Sequence, residues 1–245
     1  MKEDLVMEKK IFIIASALYI ASFNALAYTL SYSYDDSAMT ASVVDYLGDA
    51  EDVIIPSKVS RSVNTGKKDD DGDYIYVTKT YAVTSIGDEV FYWSDGLTSI
   101  TIPDSVTSIG YGVFKGCSNL EKVDGLDKLT SIPSSLFRGC SNLTTIDIDF
   151  SKIISIDWSA FYGCDKLNFS EDGVLNLPNI ESIGSSSFKY CKGLKKIITG
   201  EKLVTLGDDA FESCHGLVEA EINGTNLHIS FGVFRYCSNL NVLKF

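Results

Sequence analysis

Phenylalanine recurs at a nearly constant interval along the 245-residue chain, starting at residue 91. The intervals are 23, 23, 24, 27, 23 and 23 residues, and the seven positions are Phe91, Phe114, Phe137, Phe161, Phe188, Phe211 and Phe234. A period of this length is typical of solenoids, in which each repeat is one coil that cannot bury its apolar face alone. Stacked coils bury those faces against one another. The sequence therefore predicts a stack of about seven coils.

Other residues recur at fixed distances from these phenylalanines, and each such position is here called a column. A leucine lies six residues after each of them, and an isoleucine or a leucine lies five residues before. An even number of cysteines in an exported chain would usually suggest disulfides. Here every cysteine occupies the same position of its repeat, so all six side chains would point into the core in parallel. That arrangement fits stacked thiols better than bridges, so we expect free, buried thiols and no disulfide. The position three residues after each phenylalanine is Ser94 in the first repeat and cysteine in the other six. These are all six cysteines of the chain: Cys117, Cys140, Cys164, Cys191, Cys214 and Cys237.

The second repeat shows how one coil is expected to be built. Residues 97–102 (LTSITI) end in the alternation of a strand, and Pro103 and Asp104 then turn the chain. Residues 106–109 (VTSI) are mostly β-branched and predict a second short strand. Residues 111–117 (YGVFKGC) are too few for a stable helix, so we expect one helical or 3₁₀ turn there. The predicted fold class is a β-rich α/β solenoid whose neighbouring strands pair in parallel.

The motifs of this repeat resemble a known family. Residues 97–103 (LTSITIP), 105–110 (SVTSIG) and 114–120 (FKGCSNL) are similar to the BspA-like (Treponema pallidum type) leucine-rich repeats, and the resemblance covers residues 84–245. It implies a right-handed stack of coils with parallel β-sheets. Members of that family are mostly exported or surface proteins of bacteria, and several are linked to adhesion. The resemblance therefore implies a protein partner, such as a host matrix or surface protein.

The first 27 residues have the pattern of a signal peptide. Lys9 and Lys10 precede an apolar run over residues 11–27, which ends in Ala25-Leu26-Ala27, a small-x-small pattern read by signal peptidases. The run is marginal in length for a bilayer span, and an uncleaved anchor is the alternative. We expect a secreted or cell-surface protein that meets the membrane only through this segment. In a Gram-negative bacterium the expected location is the periplasm or outer envelope.

Residues 28–83 are predicted to form an N-terminal β cap and a modified first coil. Residues 28–34 (YTLSYSY) alternate with period two, and with residues 43–47 they should form a capping β-hairpin. Residues 53–59 (VIIPSKV) match residues 100–106, and the next repeat element begins only at residue 83. Residues 60–83 therefore read as an inserted hairpin with an acidic tip. At the other end no polar cap follows residues 240–245. Three interpretations are open: the last coil is exposed, it pairs with another chain to form oligomers, or the gene model is truncated.

Charge and motifs exclude several classes of function. The chain has 33 acidic and 21 basic residues and two histidines, for a formal net charge of −12. Nucleic-acid affinity comes mainly from Lys and Arg, so no nucleic-acid partner is expected. An EF-hand loop starting at Asp69 would need glycine and glutamate where Tyr74 and Thr80 stand. With no HExxH, GxSxG or phosphate-binding loop either, we expect no enzymatic activity, cofactor or metal.

Function is therefore expected on the outer surface of the coils. Outward positions of the first strand of each coil should form one broad polar face, and the candidate partner-binding residues are Thr98, Ser99, Thr101, Glu121, Lys122, Thr144, Thr145, Asp147, Lys195, Lys196, Glu219 and Glu221. Tyr and Trp are enriched at interfaces, and the candidate edge aromatics are Tyr92, Trp93, Trp158 and Tyr162. The leading hypothesis is a secreted or surface protein that binds another protein. The alternatives are a glycan-binding module and a structural spacer of a cell-envelope assembly.

Overall fold

The computed structural model describes residues 28–245, so the predicted signal peptide lies outside the described residues. The described chain contains 18 strands and one short 3₁₀ helix, Phe150–Lys152. The strands are β1 (Thr29–Asp35), β2 (Thr40–Leu47), β3 (Asp52–Ile54), β4 (Lys58–Lys68), β5 (Tyr74–Ile86), β6 (Ser99–Thr101), β7 (Ser108–Ile109), β8 (Lys122–Asp124), β9 (Ser131–Ile132), β10 (Thr145–Ile146), β11 (Ser155–Ile156), β12 (Val174–Leu177), β13 (Ser182–Ile183), β14 (Lys196–Thr199), β15 (Thr205–Leu206), β16 (Glu219–Glu221), β17 (His228–Ile229) and β18 (Val242–Lys244).

Four sheets run along the stack. A cap sheet has the order β1-β2-β5-β4, with β7 also paired to β5. The N-terminal strand face is β10-β8-β6-β3, and the C-terminal strand face is β12-β14-β16-β18. The remaining sheet, β17-β15-β13-β11-β9, carries the second strand of the five coils from Ser131 onwards and is here called the short-strand sheet. Every pairing in the last three sheets is parallel, as expected for stacked coils.

The predicted solenoid core is confirmed as a ladder of phenylalanine rings. Consecutive rings from Phe91 to Phe234 have centroids 5.1 to 5.7 Å apart and planes within 3 to 18° of parallel. The first six rings are fully buried, and the leucine, isoleucine and Leu206 side chains at the same spacing from them are buried as well. Offset stacking of this kind suits the aromatic quadrupole, so each coil adds both area burial and ring–ring attraction.

The cysteine column lies in the same core, and all six cysteines are free. Each Sγ is 2.9 to 3.2 Å from the carbonyl oxygen of the phenylalanine in the preceding coil, as for Cys140 and Phe114. The thiols therefore donate weak hydrogen bonds along the stack. Ser94 stands at this position in the first coil, which has no preceding ladder phenylalanine to supply a carbonyl.

The predicted helical turn around each phenylalanine is wrong. The residues two before and two after each ladder ring have positive φ, as Ser135 (57°) and Gly139 (80°) do around Phe137. Alternation between left- and right-handed backbone points every second N–H towards the next coil instead of along a helix axis. The amides of Ser135, Phe137 and Gly139 accordingly donate to the carbonyls of Trp158, Ala160 and Tyr162 at 2.7 to 2.9 Å. This segment is thus a run of turns that are hydrogen-bonded between coils.

The N-terminal end is covered by antiparallel strands. β1 and β2 pair antiparallel, and Tyr46 of β2 lies 4.9 Å from the first ladder ring, Phe91. β3 pairs in parallel with β6, as the first strand of an incomplete coil. β4 and β5 form a long antiparallel hairpin where the insertion is expected, and its far half is exposed on both faces.

Candidate functional site

The N-terminal strand face is held in register by shared carbonyl acceptors. The amides of Glu121 and Lys122 both donate to the carbonyl of Thr98, at 2.8 and 3.2 Å. The amides of Thr144 and Thr145 share the carbonyl of Glu121 in the same way. Since the leucine before each pair points into the core, the pair itself points outwards. The eight residues predicted here are all half-buried or exposed: Thr98, Ser99, Thr101, Glu121, Lys122, Thr144, Thr145 and Asp147.

These eight side chains differ in how much hydrogen-bonding capacity they leave free. The hydroxyls of Thr98 and Thr144 donate to backbone carbonyls of the preceding coil at 2.9 and 3.1 Å. Ser99 donates to the carboxylate of Asp52, and Lys122 pairs with Asp124 at 2.7 Å. The remaining four are Thr101, Glu121, Thr145 and Asp147. Three of these make no side-chain hydrogen bond within residues 28–245, and Thr145 makes a long contact with its neighbour Thr144 only.

The C-terminal strand face carries a closed network of ion pairs. Lys196 lies 3.2 Å from Glu219 and 2.9 Å from Glu221, and Lys244 lies 2.7 Å from each of them. Hydrogen bonds from Lys244 and Lys196 lower the pKa of Glu221 to about 2. Three of the four predicted residues of this face, Lys196, Glu219 and Glu221, therefore belong to one ion-pair network with Lys244. The fourth, Lys195, is exposed and forms no ion pair within residues 28–245.

The single broad face expected from the sequence is divided. β10 and β12 are not paired, and the two strand faces are separate sheets. The long coils between them fill the gap with extra aromatic rings: Phe169 meets Phe161 at 5.7 Å and Phe150 meets Phe169 at 5.8 Å. The candidate residues up to Asp147 thus belong to one sheet, and those from Lys195 onwards belong to another.

The side chains beside the ladder phenylalanines form a further surface, here called the turn edge. Its first cluster is Tyr92, Trp93 and Lys115. The ammonium of Lys115 is 4.7 Å from the Tyr92 ring centroid and 3.7 Å from Glu89, and the exposed indole of Trp93 covers the backbone of Gly116. This cluster includes two of the four aromatic residues predicted from the sequence.

The second cluster on the turn edge contains the other two predicted aromatics. The guanidinium of Arg138 lies 5.3 Å from the ring of Trp158 and 4.8 Å from the ring of Tyr162. Tyr190 packs edge-on against Tyr162 with centroids 5.4 Å apart. Sequence reasoning missed Arg138, although it follows a ladder phenylalanine and so shares the column of Tyr92 and Tyr162.

The acidic hairpin tip is organised by its own backbone. The carboxylate of Asp69 accepts hydrogen bonds from the amides of Asp71 and Asp73 at 3.1 and 2.9 Å. Among residues 28–245 no three His, Cys, Asp or Glu side chains are grouped in a way that would hold a metal ion. Nor does that part of the chain contain a helix of the length and apolarity needed to cross a bilayer.

The repeat pattern matches one family model directly. The model of the BspA type leucine rich repeat region matches six copies, over residues 75–171 and 174–245. The chain belongs to the BspA-type leucine-rich repeat family. No protein of curated function matches it significantly in sequence.

Solved structures of bacterial leucine-rich repeat proteins have the same fold. The Treponema pallidum leucine-rich repeat protein is 26% identical with a TM-score of 0.67, covering 86% of this chain and 88% of its own. A leucine-rich repeat protein from Bacteroides ovatus is 25% identical with a TM-score of 0.71, covering 93% and 53%. A leucine-rich cell surface protein from Faecalibacterium prausnitzii is 25% identical with a TM-score of 0.68, covering 87% and 52%. This BspA-type chain spans about half the length of the last two proteins.

Proposed function

We propose that this BspA-type chain is a secreted or cell-surface module that binds a protein partner through its N-terminal strand face. The observation that carries the proposal is the set of outward side chains on or directly beside β6, β8 and β10 that have unused hydrogen-bonding capacity. Thr101 ends β6, Glu121 precedes β8 and Asp147 follows β10, and the amides of Glu121 and Asp147 donate to the preceding coil, so little backbone order has to be gained on binding.

The C-terminal strand face supports the choice by contrast. A partner that contacted Lys196, Glu219 or Glu221 would have to break their ion pairs, or it would meet charges that are already paired. The N-terminal strand face carries one such pair, between Lys122 and Asp124. It also carries the exposed apolar side chain of Ile54 on β3, which adds contact area beside the polar positions.

The cellular location is part of the same proposal. The signal-peptide pattern over residues 1–27 supports export, and the F. prausnitzii relative is described as a cell surface protein. Fractionation of the native cell followed by peptide mass spectrometry tests this step. A mature N-terminus at Tyr28 in the envelope or secreted fraction is expected, and a chain that retains residues 1–27 in the cytosol would contradict it.

Binding through the N-terminal strand face can be tested with a pair of bulky substitutions. Residues 28–245 are immobilised, and a partner captured from extracellular matrix is identified by cross-linking mass spectrometry. The double variant T101R/T145R should weaken its binding by about tenfold or more, because two long charged side chains would block a close contact.

The matched control places the same substitutions on the short-strand sheet. Ser131 and Thr205 are also exposed strand residues, so S131R/T205R should bind as the parent chain does. Equal binding by both double variants would reject the N-terminal strand face as the interface.

A further inference from the structure

Arg138 is a cation without an anionic partner. Its half-buried guanidinium lies between the rings of Trp158 and Tyr162, and it forms no ion pair and no side-chain hydrogen bond within residues 28–245. Two other basic residues in its column are neutralised: Lys115 by Glu89 at 3.7 Å, and Lys189 by Glu212 at 2.5 Å. In a chain with a net charge of −12, a guanidinium that has found no carboxylate is a candidate ligand-binding group.

The surroundings of Arg138 are open and flat. Gly139 and Gly163 follow Arg138 and Tyr162 in their coils, and a Cβ atom on either would meet only glycine backbone, at 3.7 Å or more. No side chain from these two positions covers the surface beside the cluster. Trp158 is 51% exposed, and Tyr190 extends the aromatic surface by one coil.

The backbone of the turn edge has no free amides to offer at this point. The amide of Gly139 donates to the carbonyl of Tyr162 at 2.7 Å, and that of Gly163 donates to the carbonyl of Lys189 at 2.8 Å. An extended peptide therefore cannot add here by main-chain pairing, as peptides do at open strand edges. A ligand must be held by the rings and the guanidinium.

We propose that Arg138, Trp158, Tyr162 and Tyr190 bind an acidic saccharide. A guanidinium presents paired N–H donors that match a carboxylate bidentately. The C–H face of a pyranose ring is flat and apolar and packs against an aromatic ring. The cluster offers both kinds of group on neighbouring coils, with the guanidinium 4.8 and 5.3 Å from the Tyr162 and Trp158 ring centroids. This binding site is independent of the N-terminal strand face.

Tryptophan fluorescence provides a direct test, because Trp93 and Trp158 are the two tryptophans of the chain. In a W93F variant of residues 28–245 the emission reports on Trp158 alone. The probe is a hexasaccharide of alternating glucuronic acid and N-acetylglucosamine. We expect a saturable emission change that weakens as salt is added, since screening reduces the attraction between guanidinium and carboxylate. An N-acetylglucosamine hexamer, which has no carboxylate, should give no saturable change.

Substitution of the arginine identifies the group responsible. R138Q in the W93F background should bind the acidic hexasaccharide about tenfold more weakly or worse, because the charge-assisted hydrogen bonds are lost. R138K keeps the positive charge but loses the planar guanidinium, so its affinity should lie between that of the W93F parent and that of R138Q. R235Q is the matched control, because Arg235 occupies the same column over the Tyr236 ring at 4.7 Å, and it should bind like the parent.

Unchanged unfolding temperatures of the variants separate loss of binding from loss of fold. An R138Q variant that is folded and binds as tightly as the parent would overturn the site. An equal response to the neutral hexamer would overturn the requirement for an acid. Stronger binding of a hexaglutamate peptide than of the acidic hexasaccharide would overturn the assignment to a saccharide.

Discussion

The cysteines of the column are packing residues of the core, and their thiols are unsuited to redox chemistry. Burial raises the pKa of the Cys117 thiol to about 12 and that of the less buried Cys237 to about 11. Burial also raises the pKa values of Cys140, Cys164 and Cys214 well above the usual range. Because the thiolate is the reactive form, these groups are poor nucleophiles and resist oxidation.

Thiol titration should separate the column into two kinds of cysteine. With an aromatic disulfide reagent near neutral pH, the native chain should leave its five buried thiols unmodified, and Cys237 should react first and slowly. Denaturation without reductant should expose about six thiols, the full cysteine count of the sequence. Fewer than six in the denatured chain would mean that disulfides form after all.

Substituting alanine at two glycines with positive φ should lower the free energy of unfolding by different amounts. Gly139 has φ 80°, and its Cβ would meet the Gly116 Cα at 3.7 Å, an ordinary contact. G139A should therefore cost only the left-handed backbone penalty, about 1–2 kcal/mol. Gly125 has φ 88°, and its Cβ would stand 1.9 Å from the Ile102 carbonyl oxygen, so G125A must also displace backbone. Denaturant unfolding should show the larger loss for G125A, and equal losses would contradict this steric account.

Individual elements show what sequence reasoning could and could not predict. The inward columns were predictable because apolar residues at fixed spacing have to face one core. The left-handed turns were not, because positive φ occurs here at Ser135, Ser159 and Tyr190, where no glycine signals it. The break between the strand faces falls where Phe150 and Phe169 contact each other, and these residues do not fit any repeat column. The surroundings of Arg138 were not predictable either, because the rings beside it come from two other coils.

One carboxylate adds a side-chain link between the base of the inserted hairpin and the cap, beside the backbone pairing of β5 with β2, and this link should be sensitive to pH. Asp36, in the turn between β1 and β2, accepts hydrogen bonds from the Tyr81 hydroxyl and, at 2.7 Å, from Arg61. These bonds lower the pKa of Asp36 to about 2. A lowered pKa in the folded state means that the stabilisation is complete above about pH 4. It is then lost as the pH falls towards 2.

Amide exchange in β4 and β5 measures this link. Protection near Arg61 and Tyr81 should fall in the parent chain between about pH 4 and pH 2 after correction for intrinsic rates. D36N should show the weaker protection already at neutral pH. D70N at the exposed hairpin tip, where Asp70 makes no side-chain hydrogen bond among the described residues, is the control and should match the parent. Equal protection in D36N and the parent would show that the carboxylate does not hold the hairpin.

At the scale of the whole stack, the two ends of residues 28–245 are covered to different degrees. Tyr46 covers the first ladder ring, and its hydroxyl accepts a hydrogen bond from the Ala50 amide at 3.1 Å. At the other end Phe231 is 75% exposed, and the last ladder ring, Phe234, is only partly buried. In a stack where each coil contacts only its neighbours, local stability follows local coverage.

Hydrogen exchange along the stack should therefore be graded. β17 and β18 should exchange faster than β13 and β14, because opening the last coil breaks one interface and opening a middle coil breaks two. Y46A removes the ring that covers Phe91 and should lower protection in β6 and β7 without changing β17 and β18. Y76A, on the exposed hairpin, is the control that should leave both ends unchanged. Uniform protection from β6 to β18 would instead show that the solenoid opens as a single cooperative unit and that coverage of its ends does not set local stability.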